Sequence, residues 1–416
     1  MGQTFAQKIL GRAAGRAVEP GETVSVEPDL VLSRDESRFL VERFRESNPG
    51  RRVKHPERIA IVLDQASPAP SGEQAAGHAL VRDFVAEQGI EHFYDVGSGV
   101  CHQVVPEKHL ALPGGIVVGT GGHTRIYGAF NTFATDVETD QVQSIWETGK
   151  TELRVPETME INLDGNFVDK VSAKDLILTI AGRLGPEGAG GRAVEFHGTS
   201  LGSLLVHERM TIAGMGAEIG AMIAVFPADR ITEKFLFTHE MCSRAMWSDA
   251  DAEFCQAFDL VLDEIVPMVA RPHEAYNVCP VSELPETKVN QVFLGTCTNG
   301  RIEDLASALK IMKGRKVVPS VRMIVGAASR DEFVKALQQG VIEEFVKAGA
   351  VVVPPGCGPC MGAHMGALAP GEVCLSTGGV NTRGRMGDTG SSVYLASPET
   401  AAATAVTGVI TDPREV

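Results

Sequence analysis

Positive charge is in short supply in this sequence. Its 416 residues hold 38 Lys and Arg against 53 Asp and Glu, a formal net charge of −15. Such a chain lacks the cations that neutralise phosphates, which argues against a general nucleic-acid or anionic-membrane binder. Long apolar runs are also missing: no stretch approaches the ~18–20 residues a membrane helix needs, and the opening Met1–Arg16 has no apolar segment of the signal-peptide type. A cytoplasmic protein is the expectation. Aromatic residues are only 6 % of the chain, and no fixed-period repeat, low-complexity tract, heptad run or polybasic block occurs. What is plentiful is glycine, 45 residues, about 11 % where ~7 % is usual. Many glycines with few aromatics point to an α/β enzyme whose tight loops surround a ligand. Hydrophobic residues at 44 % and charged ones at 22 % are ordinary for folded material, and the length suggests two or three domains.

The apolar patterning alternates strand and helix. A helix over Phe5–Ala14 precedes a strand at Thr23–Val26. Further strands are predicted near Arg58–Asp64, His92–Val96 and Gly115–Gly119, each running into a polar or Gly-rich loop. Strand ends of this kind favour ligands in α/β folds. Helices are predicted over 73–88, 131–150 and 173–184, with a strand hairpin near Met159–Gly165 and a buried, small-residue helix within 199–225. The prolines of 267–290 suggest a boundary, so residues 1–280 are assigned to two α/β lobes and 281–416 to a third. In that last part, strands are expected at 292–295, 320–325 and 350–353, and helices at 303–312, 329–348 and from Pro398.

Eight cysteines occur, at 101, 242, 255, 279, 297, 357, 360 and 374. In a long chain without an export signal, reduced thiols or metal ligands are expected rather than disulfides. Three stand in special surroundings. Cys297 lies in Gly295-Thr-Cys-Thr-Asn-Gly-Arg301, between a strand and a helix. Cys357 and Cys360 lie in Gly356-Cys-Gly-Pro-Cys-Met-Gly362, again after a strand. Three thiolates from two open loops suit a [4Fe–4S] cluster with one iron left for substrate. The spacing alone leaves two other readings open: half of a zinc site with His364 as a further donor, or a redox pair. The other five cysteines read as small core or loop residues.

These two cysteine motifs, with His102-Gln-Val-Val-Pro-Glu107, resemble the aconitase superfamily, and within it the large subunits of 3-isopropylmalate dehydratase and homoaconitase. Supporting stretches are Met1-Gly-Gln-Thr, Val26-Glu-Pro-Asp, Arg154-Val-Pro-Glu-Thr-Met-Glu-Ile-Asn-Leu163 and Gly384-Arg-Met-Gly387. The similarity runs end to end. It implies three α/β domains around a central cleft, with the fourth, swivelling domain supplied as a separate small subunit. It implies a [4Fe–4S] cluster on Cys297, Cys357 and Cys360, and reversible removal of water from a small hydroxy-carboxylate. The open iron of such enzymes serves as a Lewis acid, and the base is a serine of the small subunit. Residue by residue, it implies His102, His123, Asp64 and Glu218 as catalytic groups and Arg385 as a substrate arginine.

The sequence also departs from that pattern. The family's Asp-His is Asp64-Gln65 here, and Gln65 cannot act as an acid. Its Asp-Ser-His is Gly121-Gly122-His123, and its Ser-Asn-Arg-Asn is Gly378-Gly379-Val380-Asn381. Gly214 stands where Asn is expected before Met215. Two arginines, Arg34 and Arg125, appear where relatives carry other residues. They are expected either to hold an anionic group of a different substrate, together with Gln65, or to be ion-pair residues. Four functions remain open: a hydro-lyase or isomerase on an acid other than isopropylmalate; an orthodox isopropylmalate or homoaconitate dehydratase; a cluster-dependent desulfurase or sulfur-transfer enzyme; and a non-catalytic scaffold or sensor.

Overall fold

The computed structural model describes residues 2–236, 242–362 and 364–416; Met1, which opens one of the stretches above, lies outside them. The first helix forms where the sequence places it, over Phe5–Ala14. Thr4 and Gln7 exchange side-chain and backbone hydrogen bonds as a capping box, and Gly15 ends the helix in the left-handed conformation, φ 68°.

Three sheets carry the fold. The first is all parallel, in the order His92–Tyr94, Ile59–Val62, Leu30–Ser33, Ile116–Gly119, Phe133–Asp136. The second is also parallel: Ile223–Val225, Ala193–His197, Thr158–Asp164, Gln256–Val261. The third has seven strands: Val278–Pro280, Met268–Ala270, Ser392–Ala396, Val373–Ser376, Gln291–Leu294, Arg322–Gly326 and Val351–Val353. Its first two pairings are antiparallel and the rest parallel. The four-residue strands of the first sheet are buried throughout except at Asp136, because helices cover both faces.

Three expectations need correction. The segment 131–150 is not one helix: Phe133–Asp136 is a strand and the helix is Thr139–Thr148. The β-branched and aromatic run Thr132-Phe-Ala-Thr135 favours the edge of a sheet. No hairpin forms near Gly165. Thr158–Asp164 lies between two parallel partners, and Asp164-Gly165 turns the chain toward a crossover helix instead. Residues 268–280, ahead of the expected boundary at 281, supply two strands of the third sheet, with Val269 opposite Ala396. Prolines are tolerated at an outer strand, which hid it from the patterning.

No helix among the described residues is long and apolar enough to cross a membrane. The core of the first lobe gathers around Trp146, which stacks on Phe84 at 5.4 Å between ring centroids and meets Phe44 edge-on at 6.2 Å. These rings tie the helices Ser37–Ser47, Gly72–Gln88 and Thr139–Thr148 together over one face of the sheet. Trp146→Ala is expected to cost about 3–5 kcal/mol of stability, read from its urea-denaturation midpoint. An unchanged midpoint would mean that the rings do not carry this lobe.

Candidate functional site

Loops leaving the carboxyl ends of parallel strands converge on one cleft, as doubly wound sheets dictate. Ser33 leads to Arg34, Val62 to Asp64, Gly119 to His123, Leu294 to Cys297, Val353 to Cys357 and Cys360, and Ser376 to Gly378 and Gly379. His102 enters from the first turn of the helix Cys101–Glu107, and Glu218 from the turn after the helix Val206–Gly214.

Each cysteine loop is fixed by its backbone. Before Cys297, Thr296 adopts φ 76°, an outlier for a β-branched residue. It is held there by a 2.9 Å hydroxyl contact to Thr298. Thr298 Oγ1 donates to the Thr377 carbonyl at 2.8 Å, and Gly295 N donates to Thr377 Oγ1 at 2.9 Å. Buried Arg301 donates to the carbonyls of Cys297 and Thr298, and to Gln103 Oε1 at 2.9 Å. Buried Lys174 donates to the carbonyls of Thr377 and Gly378 at 2.8 and 2.7 Å. Burial lowers the pKa of Lys174 to about 8, against the opposing pull of Glu218 and Cys297.

Cys357 N donates to the Asp64 carbonyl at 2.7 Å. Gly356 makes this approach possible: its φ is 154°, and a Cβ there would lie 2.9 Å from the Asp64 carbonyl oxygen. Cys360 N donates to the Cys357 carbonyl at 2.9 Å, so both thiols ride on one tight turn. Asp35 pins the facing loop. Its carboxylate accepts the N–H groups of Asp64, Gln65 and Ala66 at 2.9, 2.7 and 3.0 Å and lies 3.0 Å from His78 Nε2.

A donor faces every one of the three sulfurs. Arg34 Nη2 lies 2.8 Å from Cys357 Sγ, His123 Nδ1 lies 3.4 Å from Cys297 Sγ, and Arg385 Nη2 lies 3.7 Å from Cys360 Sγ. Arg34 also pairs with Asp64, Nε to Oδ1, at 2.9 Å, and Asp64 Oδ2 accepts Cys101 N at 2.8 Å. His123 Nε2 meets Glu218 Oε1 at 2.9 Å. The electrostatics follow from burial and these pairings. Burial alone would lower the His123 pKa, but Glu218 and the Cys297 thiolate raise it well above its ordinary value. Burial would raise Cys297, but His123 brings it down. Burial and Asp64 push Cys357 up, against the pull of Arg34. His102 is lowered by burial and by Arg34, so its imidazole is neutral at pH 7.

All eight cysteines are free thiols. Among the described residues, Cys357 and Cys360 join no group of three ligand atoms within 4.8 Å of one another, and His364 Nε2 contacts the Gln65 carbonyl at 3.0 Å. A single zinc on Cys297, Cys357, Cys360 and His364 is therefore not assembled. Several buried polar atoms lack a partner: both His102 ring nitrogens, Glu218 Oε2 and Arg385 Nε. Buried polar groups left unpaired call for a polar occupant. Three buried thiols on two loops, each with a donor, beside unpaired histidine and carboxylate atoms, fit an iron–sulfur cluster with an open corner.

Of the residues singled out in the sequence, Cys297, Cys357, Cys360, His102, His123, Asp64, Glu218, Arg34 and Arg385 come together here. Arg125 takes the second of the two roles expected of it, that of an ion-pair residue. Its guanidinium pairs with Asp136 at 2.7 Å and donates to the Gly122 and Ala221 carbonyls, which leaves it a structural ion pair. Gln65 is fixed through its backbone, N–H to Asp35 and carbonyl to His364. Asp35, Lys174 and Arg301 escaped notice. Lys174 did leave a signal: it shares a helix face with Ile177, Leu178 and Ala181, all buried, and a lone lysine on such a face needs acceptors.

Comparison with known proteins agrees with this geometry. The profile of the aconitase family (aconitate hydratase) matches residues 28–289 and 282–408. The chain is 42% identical over 415 residues to 3-isopropylmalate dehydratase large subunit 1 of Methanopyrus kandleri, covering 100% of this chain and 99% of that one. It is 44% identical over 416 residues to the probable 3-isopropylmalate dehydratase large subunit of Methanothermobacter thermautotrophicus, covering 99% of each. It is 44% identical over 390 residues to the probable methanogen homoaconitase large subunit of Methanosarcina mazei, covering 93% of this chain and 99% of that one. The crystal structure of Thermococcus kodakaraensis aconitase X in its holo-form shares the fold, with a TM-score of 0.50, 12% identity and coverage of 90% of this chain and 89% of that one.

Lys174→Met is expected to strip the Thr377 and Gly378 carbonyls of their donor. The loss is about 1–3 kcal/mol for each group left unsatisfied, with faster labelling of Cys297 by a thiol reagent. Unchanged stability and unchanged labelling would show that Lys174 does not hold this loop.

Proposed function

The chain belongs to the aconitase family, and from that premise we propose that it is the large subunit of an iron–sulfur hydro-lyase working in the cytoplasm on a small hydroxy-dicarboxylate. The observation that carries the reading is the trio of buried thiols, each faced by a hydrogen-bond donor, around a histidine with no partner of its own. Cys297, Cys357 and Cys360 would hold a [4Fe–4S] cluster, which when bound supplies a Lewis acid for the departing hydroxyl. Arg385, whose Nε lies buried without a partner, is the group for a substrate carboxylate. His123, whose Nε2 meets Glu218 and whose Nδ1 meets Cys297, keeps a proton at neutral pH and so supplies positive charge beside Cys297. Neutral His102 can accept or donate a hydrogen bond beside it. Relatives named as large subunits support a separate small subunit, and the base for the neighbouring carbon would come from it.

We further propose that the substrate differs from isopropylmalate. The unusual residues form one coupled change. A Cβ at Gly121 would lie 3.3 Å from Arg34 Nη1, so a larger residue there crowds the arginine. A Cβ at Gly379 would lie 2.8 Å from His123 Nε2 and 3.4 Å from Glu218 Oε1. The glycines make room for Arg34 and for the His123–Glu218 pair, and the cleft they leave has a different shape and charge. Arg125 has no part in this, since Asp136 holds it. The orthodox 3-isopropylmalate or homoaconitate dehydratase is the second reading, favoured by identity of 42–44% along nearly the whole chain.

Anaerobic reconstitution with iron, sulfide and a candidate small subunit tests both readings. A hydroxy-dicarboxylate other than isopropylmalate or homocitrate is expected to yield an enoate absorbing in the near ultraviolet. Arg385→Lys is expected to raise KM at least tenfold, whereas Arg125→Ala leaves KM unchanged in the protein that folds. Turnover of isopropylmalate ahead of every other acid would sink the divergent-substrate reading. No enoate from any hydroxy-acid, with the cluster in place, would sink the hydro-lyase reading.

A further inference from the structure

His102, His123 and Cys297 form a group of their own: one ligand atom from each lies within 4.8 Å of the other two. Cys297 Sγ and His123 Nδ1 are already 3.4 Å apart. Tetrahedral zinc, with bonds of about 2.0–2.1 Å to nitrogen and 2.3 Å to sulfur, sets its ligand atoms roughly 3.3–3.6 Å from one another. His102, buried, has no hydrogen-bond partner on either ring nitrogen, and its ring centroid lies 5.7 Å from that of His123. The remaining nitrogen of His123, Nε2, meets Glu218 Oε1 at 2.9 Å. A carboxylate on the far side of a metal-binding imidazole fixes its orientation and strengthens it as a ligand.

We propose that these three residues are a mononuclear site for a single zinc-class divalent ion, occupied when the chain carries no cluster. The ion replaces the proton between His123 Nδ1 and Cys297 Sγ, and that proton leaves to solvent. His102 completes the set, its ligand atom already within 4.8 Å of the other two. The fourth position stays open toward the cleft. Gly379 is part of the device, because a Cβ there would lie 2.8 Å from His123 Nε2 and force the ring to shift. The site shares only Cys297 with the proposed cluster ligands, so ion and cluster exclude each other. An ion seated here blocks cluster assembly while keeping the Cys297 thiolate from oxidation. The inference does not depend on the cluster reading, since Cys357 and Cys360 take no part.

The test uses the full chain, freed of iron and sulfide and kept anaerobic, titrated with Co²⁺ as a visible substitute for Zn²⁺. One ion per chain is expected, with thiolate-to-cobalt charge-transfer absorption and the intense ligand-field bands of a four-coordinate site, both erased by added Zn²⁺. The Cys357→Ser/Cys360→Ser double variant is expected to keep the spectrum, and Cys297→Ser to lose the charge-transfer band. His102→Gln and His123→Gln, which keep the bulk of the ring, should each weaken binding at least tenfold. A spectrum that survives Cys297→Ser, or that vanishes in the double variant while its circular dichroism stays native, overturns the proposal, as does the absence of one-to-one binding in the parent chain. Cluster reconstitution of the parent is scored separately, so a chain that takes cobalt but no cluster refutes the cluster reading alone.

Discussion

Three buried cysteine sulfurs on two loops open into one cleft, and each is met by a nitrogen donor. Arg34 faces Cys357, His123 faces Cys297 and Arg385 faces Cys360. Two of these donors are themselves anchored: Arg34 by Asp64 and His123 by Glu218. Charge-assisted hydrogen bonds of this kind gain strength where water is excluded. The alternation of cation and anion balances the buried charge around the three sulfurs.

A second layer keeps those charges in register. Asp35 accepts three consecutive backbone N–H groups of the Asp64 loop. Lys174 and Arg301 saturate carbonyls of the loops around Thr377 and Cys297. All three act on backbone rather than on a ligand, so the cysteine loops are set before anything binds. Such preorganisation matters most where reacting groups sit on loops at the ends of strands.

Much of this was legible in the sequence. Apolar runs ending in glycine or aspartate marked Ile59–Val62 and Ile116–Gly119, and the spacing of Cys357 and Cys360 beside Cys297 marked the site. Lone arginines were harder to place. Arg34 and Arg125 look alike in the sequence, yet one reaches Cys357 and the other pairs with Asp136. The distinction depends on which loop faces which, a property of tertiary contact. Asp35 was hidden for the same reason, because its partners lie 29 to 31 residues away. The strand Phe133–Asp136 was absorbed into a helix because four residues carry too little periodicity to compete with the amphipathic stretch that follows.

The coupling of Gly121 to Arg34, and of Gly379 to the His123–Glu218 pair, makes the unusual residues a single design rather than scattered losses. It ties the shape of the cleft to its charge. The most direct measurement is the iron and acid-labile sulfide bound per chain after anaerobic reconstitution, with the paramagnetic resonance signal of the cluster, in the parent chain and in a Cys357→Ser/Cys360→Ser variant. Close to four iron and four sulfide per parent chain, lost in the variant, is the expected result. A parent chain that retains no sulfide, or a variant that retains as much as the parent, would contradict it.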